Sequence, residues 1–357
     1  MTYVTYHLRV GLLDFSGFLG RALGGKWRME TEVPNSLKRL SQVESVESEG
    51  GSIYTPTVSI QEPSESTKFI GKTSQNFQLC SYEELPEWLK DNEYLLHNHR
   101  PPLYCMTKCL RSVGCFHTET MNIWSHLVGA LMFITAMFVF LGAPITQSFE
   151  NQLIFMIFFV GIITCLLFST VFHAVHCHSE RIFRTVIKLD YCGVILSMCS
   201  SFIPWTYYAF YCQRTYMWIY IVQIGVLSMG AFIVSFLDRF AAPKYRPLRA
   251  LVFSGLGLSI IIPLLHVIYQ SGLDYAFQYA GLFWLLANLF FSGTGLIFYC
   301  LQLPERWKPG YFDIFGHSHQ IMHILTVCGA GSFLYGLYEM WQRTQNGTVC
   351  LPDPESI

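Results

Sequence analysis

The sequence predicts an all-α membrane protein: a bundle of seven transmembrane helices, with the N-terminus in the cytosol and the C-terminus outside the cell. Three observations carry this. Of 357 residues, 52% are hydrophobic and only 13% are charged, which is not the composition of a soluble globular chain. Beyond about position 120 the apolar residues form seven blocks, each near or above the ~20 residues that cross a bilayer. Basic residues then alternate between the loops. Twelve (Arg100, Lys108, Arg111, Arg181, Arg184, Lys188, Arg239, Lys244, Arg246, Arg249, Arg306 and Lys308) fall on the side of the N-terminus, and two (Arg214 and Arg343) on the other. That bias follows the positive-inside rule and is opposite to the topology of G-protein-coupled receptors.

In order, residues 1–80 read as a cytosolic tail. Their 41–68 stretch is rich in Ser, Glu, Thr and Pro, with no periodicity that could bury a core. The apolar run of 10–19 is broken by Asp14 and does not make a signal peptide. Residues 81–117 read as a juxtamembrane amphipathic segment. Pro86 opens a short helix through Trp88, Leu89 and Leu96, and Pro101-Pro102 ends it. Thr118-Glu119-Thr120 supplies helix-start chemistry for the seven-helix domain of 118–341. Its spans are placed at 122–143, 151–175, 187–211, 215–237, 250–271, 276–300 and 318–341. Residues 342–357 form a short outer tail containing the sequon Asn346-Gly347-Thr348.

Net charge is −1, so bulk electrostatics gives no case for a nucleic-acid partner. The twelve cysteines lack paired CxxC spacing and read as reduced packing residues. Gly255 and Gly257 in the fifth span would permit close helix contacts, including those of a homo-oligomer.

Ionisable groups inside apolar spans are costly and mark function. His319 and His323 lie four apart at the start of the last span, on one helical face. Ser169 and His173 have the same spacing at the end of the second, and Asp190 stands about one turn into the third. The end of span two and the starts of spans three and seven must share one side of the membrane. If those helices are neighbours, His173, His319 and His323 converge, and three imidazoles with an open position are the usual set for a catalytic Zn2+. Asp190 would then hold or deprotonate a metal-activated water. Each group also has a plainer reading: a hydrogen-bonded core histidine, a serine bonded to its own helix, an aspartate on the helix dipole. His176, His178 and His317 are expected in or near solvated loops, and His266 is expected to be structural. The HxxxH spacing lacks the glutamate of HExxH and is no protease signature.

These residues sit among a longer series: Leu85-Pro86-Glu87-Trp88-Leu89, His117-Thr118-Glu119-Thr120, Phe172-His173, Lys188-Leu189-Asp190-Tyr191, Phe202-Ile203-Pro204-Trp205, Asp238-Arg239-Phe240 and Ser318-His319-Gln320. From about Tyr82 to the end of the last span, the series resembles the progestin and adipoQ receptor family, most closely its adiponectin receptors. The resemblance implies a plasma-membrane receptor with zinc held by His173, His319 and His323, and with Asp190 on the metal-bound water. It also implies hydrolysis of ceramide-type lipid amides, with Ser169 matching the serine of related membrane hydrolases, and a role in lipid and glucose metabolism. The implied partners are an adiponectin-like extracellular protein, ceramide or another acyl lipid, membrane lipids, and cytosolic adaptors reached through the N-terminal region. Residues 1–80 do not match the receptors' N-terminal text. A receptor with purely structural zinc and an ion transporter are the alternatives, although the apolar outer halves of the spans disfavour transport.

Overall fold

The computed structural model describes residues 77–142, 148–237 and 243–345. The readings made on residues 1–76, on the Asp238-Arg239-Phe240 run and on the Asn346 sequon lie outside these.

The chain enters through an irregular segment closed by a backbone bridge between Cys80 and His99. The short helix α1 (Met106–Ser112) follows. Seven spans then run α2 (Thr120–Gly142), α3 (Phe149–Val175), α4 (Glu180–Ala209), α5 (Arg214–Ser235), α6 with α7 (Arg246–Leu258 and Ile261–Gln278), α8 (Leu282–Leu301) and α9 (Ser318–Gln345). All seven are long and apolar enough to cross a membrane. Helix α3 lies along α4, α8 lies along α9, and α9 also meets α2 and α4. One core cluster fills the end of the bundle away from the histidines, around Phe133, Phe158, Phe159, Trp205 and Leu337. A second, at the histidine end, gathers Cys109, Ile123, Phe172, Cys177, Val186 and Tyr191.

Four expectations need correction. The third span begins at Glu180 rather than 187, because the extended Ser179 starts the helix and its first turns carry Arg181 and Arg184, which a hydropathy window rejects. Asp190 therefore stands ten residues in, ~15 Å along the axis, not one turn. The fifth span is two helices: Pro263 has no N–H for the Ser259 carbonyl, and Gly272 adopts φ 83° further on. The expected helix after Pro86 is a single 3-10 turn, Glu87–Leu89. Beyond it the backbone is held by side chains instead: the buried Asp313 carboxylate accepts from Leu96 N (3.0 Å) and His97 N (2.8 Å). The buried Glu305 accepts from Asn92 Nδ2 and from the Ser318 amide that opens α9. Lastly, Cys212 is disulfide-bonded, while ten other described cysteines are free. Without paired motifs, sequence spacing could not single it out.

Helices α3 and α4 approach so closely because small residues face each other. A Cβ on Gly161 would fall 1.8 Å from Ser200 Oγ, and one on Gly193 would fall 2.9 Å from the Cys165 Cα. The Gly193 contact is with backbone, which cannot rotate away. Gly193→Val should therefore cost about 1–3 kcal/mol, seen as a lower melting temperature in detergent. Gly225→Val, with no described atom within 4 Å of the new Cβ, should change stability by less than about 0.5 kcal/mol. Equal losses in the two variants would refute this account of the α3–α4 contact.

A candidate metal centre

The last turn of α3 delivers His173, and the first two turns of α9 deliver His319 and His323. The structure brings these three together as the sequence predicts. Their ring centroids are 5.0 Å (173–319), 4.9 Å (173–323) and 4.8 Å (319–323) apart. One nitrogen from each falls within 4.8 Å of the others, and the group could hold a metal ion.

The partners of the rings decide which nitrogens face inward. His173 Nδ1 lies 2.7 Å from Glu119 Oε2. His323 Nδ1 lies 3.2 Å from the Asn122 carbonyl. Carboxylates and carbonyls only accept, so Nδ1 carries the proton in both rings and Nε2 keeps its lone pair. His173 Nε2 is buried with no protein partner. An unpartnered lone pair beside two other imidazoles is what a metal-binding set requires, and a carboxylate behind a histidine is the usual second contact of such sites. The residues present fit a zinc-type ion.

Glu119 is anionic in this setting. Burial would raise its carboxyl, but the hydrogen bonds it accepts from His173 and Asn122 hold it below the ordinary carboxylate range. Asn122 Nδ2 donates to the same oxygen at 2.7 Å. On the main-chain side of His173, the buried Arg100 donates to the carbonyls of His173 and of Ala174, the latter at 2.9 Å. It also donates to Ser112 Oγ at 2.8 Å. A guanidinium on the last carbonyls of α3 satisfies groups that a helix end leaves open and complements its dipole.

Asp190 is only partly exposed and accepts a hydrogen bond from the buried Ser169 hydroxyl. With His173 and His319 it forms the polar end of a cavity of about 350 Å³, whose apolar wall includes Trp88, Phe172, Phe183 and Ile187.

Several residues here were not assigned from sequence. Glu119 reads as helix-start chemistry, Arg100 as a loop charge, and His126 carries no reading at all. His126 is buried and stacks on His323, with centroids 3.6 Å apart and planes 7° from parallel. The missed signal is Glu119-x-x-Asn122-x-x-x-His126, which places three polar side chains on one face as an apolar span begins. His317, expected in a solvated loop, is 2% exposed and bonds the Thr118 carbonyl through Nε2 at 3.1 Å. Burial pushes its titration down. His266, expected to be structural, has Nδ1 2.7 Å from the Tyr220 hydroxyl.

Fold and site together define a heptahelical membrane protein with a buried triad of histidines at one end of the bundle. The sequence profile described as Haemolysin-III related matches residues 115–334. The chain belongs to that family, within which the progestin and adipoQ receptors fall. It is 40% identical to Progestin and adipoQ receptor-like protein 1 of Caenorhabditis elegans, over 90% of this chain and 72% of that one. It is 41% identical to the Adiponectin receptor protein of Drosophila melanogaster, over 76% of this chain and 62% of that protein, so it spans less than two thirds of the fly receptor. A plant relative, Heptahelical transmembrane protein 1 of Arabidopsis thaliana, is 36% identical over 72% of this chain and 80% of its own.

The carboxylate behind His173 gives a direct test. Glu119→Ala should weaken retention of a loaded metal ion about 10–100-fold in competition with a chelator, and Glu119→Gln should fall between it and wild type. Wild-type retention in Glu119→Ala would show that the 2.7 Å contact orients nothing.

Proposed function

We propose that this adiponectin-receptor-like protein binds zinc through His173, His319 and His323 and hydrolyses ceramide-type lipid amides at the inner face of the plasma membrane. The observation that carries this reading is the position of Asp190, which opens with two of the histidines onto a cavity of about 350 Å³ whose apolar side of Trp88, Phe172, Phe183 and Ile187 suits an acyl chain and whose Lys90, Glu180 and Arg184 suit a polar headgroup. A bound zinc ion would supply Lewis acidity at the amide carbonyl and lower the pKa of a water toward neutrality. The chain's own groups do the rest. The Trp88, Phe172 and Phe183 walls exclude bulk water and hold the acyl chain. Asp190, steadied by the Ser169 hydroxyl, takes the proton of the attacking water and returns it to the leaving amine, so that amide and water become fatty acid and amine. Glu119 and Asn122 keep the imidazoles in the tautomer that points Nε2 inward.

Two features support a cytosolic histidine end. One is the bias of twelve basic residues against two. The other is the chemistry of the cysteines. Cys212, past the far end of α4, is disulfide-bonded, whereas Cys109 and Cys177 at the histidine end stay free with sulfurs 3.9 Å apart. Disulfides persist in oxidising compartments and not in the cytosol. An adiponectin-like protein would then engage the side that carries Cys212. An N-terminal epitope tag should be stained only after cells are permeabilised, and a C-terminal tag should be stained on intact cells; the reverse pattern would overturn the orientation.

For the chemistry, the paired change of His319→Ala and His323→Ala should remove zinc, measured by elemental analysis, together with all release of fatty acid from ceramide. Asp190→Asn should keep the metal and lose roughly 10²–10⁴-fold in turnover. Asp190→Asn with wild-type turnover would leave zinc as a brace between helices.

A further inference from the structure

A second, smaller chamber of about 50 Å³ lies on the other side of His319, between the juxtamembrane segment and the metal centre. Leu85, Leu95, Arg100, Asn122, His317 and His319 are among its lining residues. Three polar atoms of that lining are buried without a protein partner: Arg100 Nε, Asn122 Oδ1 and His317 Nδ1. Their residues are 3%, 1% and 2% exposed. Buried polar atoms are normally satisfied, and one side of a chamber rarely gathers three that are not. A polar space of this size has room for a small group of waters, each needing about 10–15 Å³ and two to four polar partners. The lining supplies those partners. The wall also includes Asp91, which is half exposed and so brings the chamber to the surface.

The small chamber and the apolar cavity share Leu89, Asp91, Glu119, His176 and His319, so they adjoin from the juxtamembrane segment to the metal centre, whereas Phe172, Phe183 and Ile187 line the larger cavity alone. Hydrolysis of a lipid amide needs two reactants of opposite character at one point. An acyl chain filling the apolar cavity would block bulk water from that side. We propose that the small chamber is a hydrated antechamber, in exchange with the cytosol, that supplies water to the metal centre from beside the cavity occupied by lipid. Its use in catalysis rests on the hydrolytic reading above, whereas its hydration does not.

The two are separated by X-ray hydroxyl-radical footprinting of the full-length zinc-loaded protein in nanodiscs, with rapid mixing into H2(18)O before the pulse. Leu95 and His317 should take up label despite their burial, and the label should carry the heavy isotope within milliseconds. Leu95→Phe and Leu85→Phe, which narrow the chamber without touching a metal-facing residue, should each lower labelling of His317 several-fold at unchanged zinc content. Turnover of ceramide should fall by a similar factor with KM unchanged. Unlabelled His317 and Leu95 in the wild type, or label that does not exchange, would overturn the hydrated chamber. Narrowed variants that lose label yet keep wild-type turnover would overturn its role as the supply. A wild type that labels and exchanges but releases no fatty acid would sink the hydrolytic reading alone and leave the hydrated chamber supported.

Discussion

The contact on which the site depends is the 2.7 Å hydrogen bond between Glu119 and His173. An imidazole buried in an apolar bundle has two nitrogens to satisfy, and each left unpaired costs about 1–3 kcal/mol. Glu119 takes one and thereby fixes the other as a lone pair facing His319 and His323. The carboxylate in turn needs compensation, since an isolated buried charge is far more costly than a buried dipole. The N–H groups of His173 and Asn122, both directed at Oε2, provide it. Arg100 holds the backbone of the same histidine from behind. His173 is thus fixed through both its ring and its carbonyl, by residues from outside the seven spans.

This makes the juxtamembrane segment part of the site rather than a cover over it. The Asp313 and Glu305 carboxylates draw residues 92–97 against the loop before α9, and His317 ties that loop to Thr118, next to Glu119. The same polar ties that position the histidines line the small chamber beside them. Hydration and ligand geometry therefore come from one network, and a change that loosens the segment would disturb both.

Much of this was legible in the sequence, and the limits have physical causes. Seven apolar blocks read directly as seven helices, because a span must satisfy its backbone internally and in lipid can do so only as a helix. The parity of span ends put His173, His319 and His323 in one layer. What the sequence concealed were contacts between residues far apart in the chain: Glu119 with His173, Asn122 with His323, Asp313 with Leu96. No local period reports such pairs. The early start of α4 and the break between α6 and α7 escaped for another reason: a hydropathy window averages over the polar first turns of one and the single missing donor at Pro263 in the other. The disulfide at Cys212 carries no spacing signal at all.

The packing of the spans divides the bundle in a way that suits the chemistry proposed for it. Helices α2, α3, α4 and α9 press together through small residues: Gly129 under Val327, Gly161 against Ser200, Gly193 against Cys165. Those four helices carry Glu119's neighbour Asn122, His173, Asp190, His319 and His323. By contrast, Gly225 and Gly230 in α5 and Gly255 in α6 have no described atom within 4 Å of an added Cβ, and α6 and α7 are broken apart. Close-packed helices hold side chains to fractions of an ångström, as a metal set needs, because interiors at crystal-like density transmit little slack. A lipid cavity needs the opposite, walls that can give way to a chain of variable length. Arg249 of α6 and Tyr299 of α8 line that cavity together with Phe172, Phe183 and Ile187 of the close-packed α3 and α4, so it joins a rigid side to one supplied in part by the broken α6–α7 span. A bulky substrate would then be accommodated more readily by movement on the α6 side than by movement of the helices that carry the histidines.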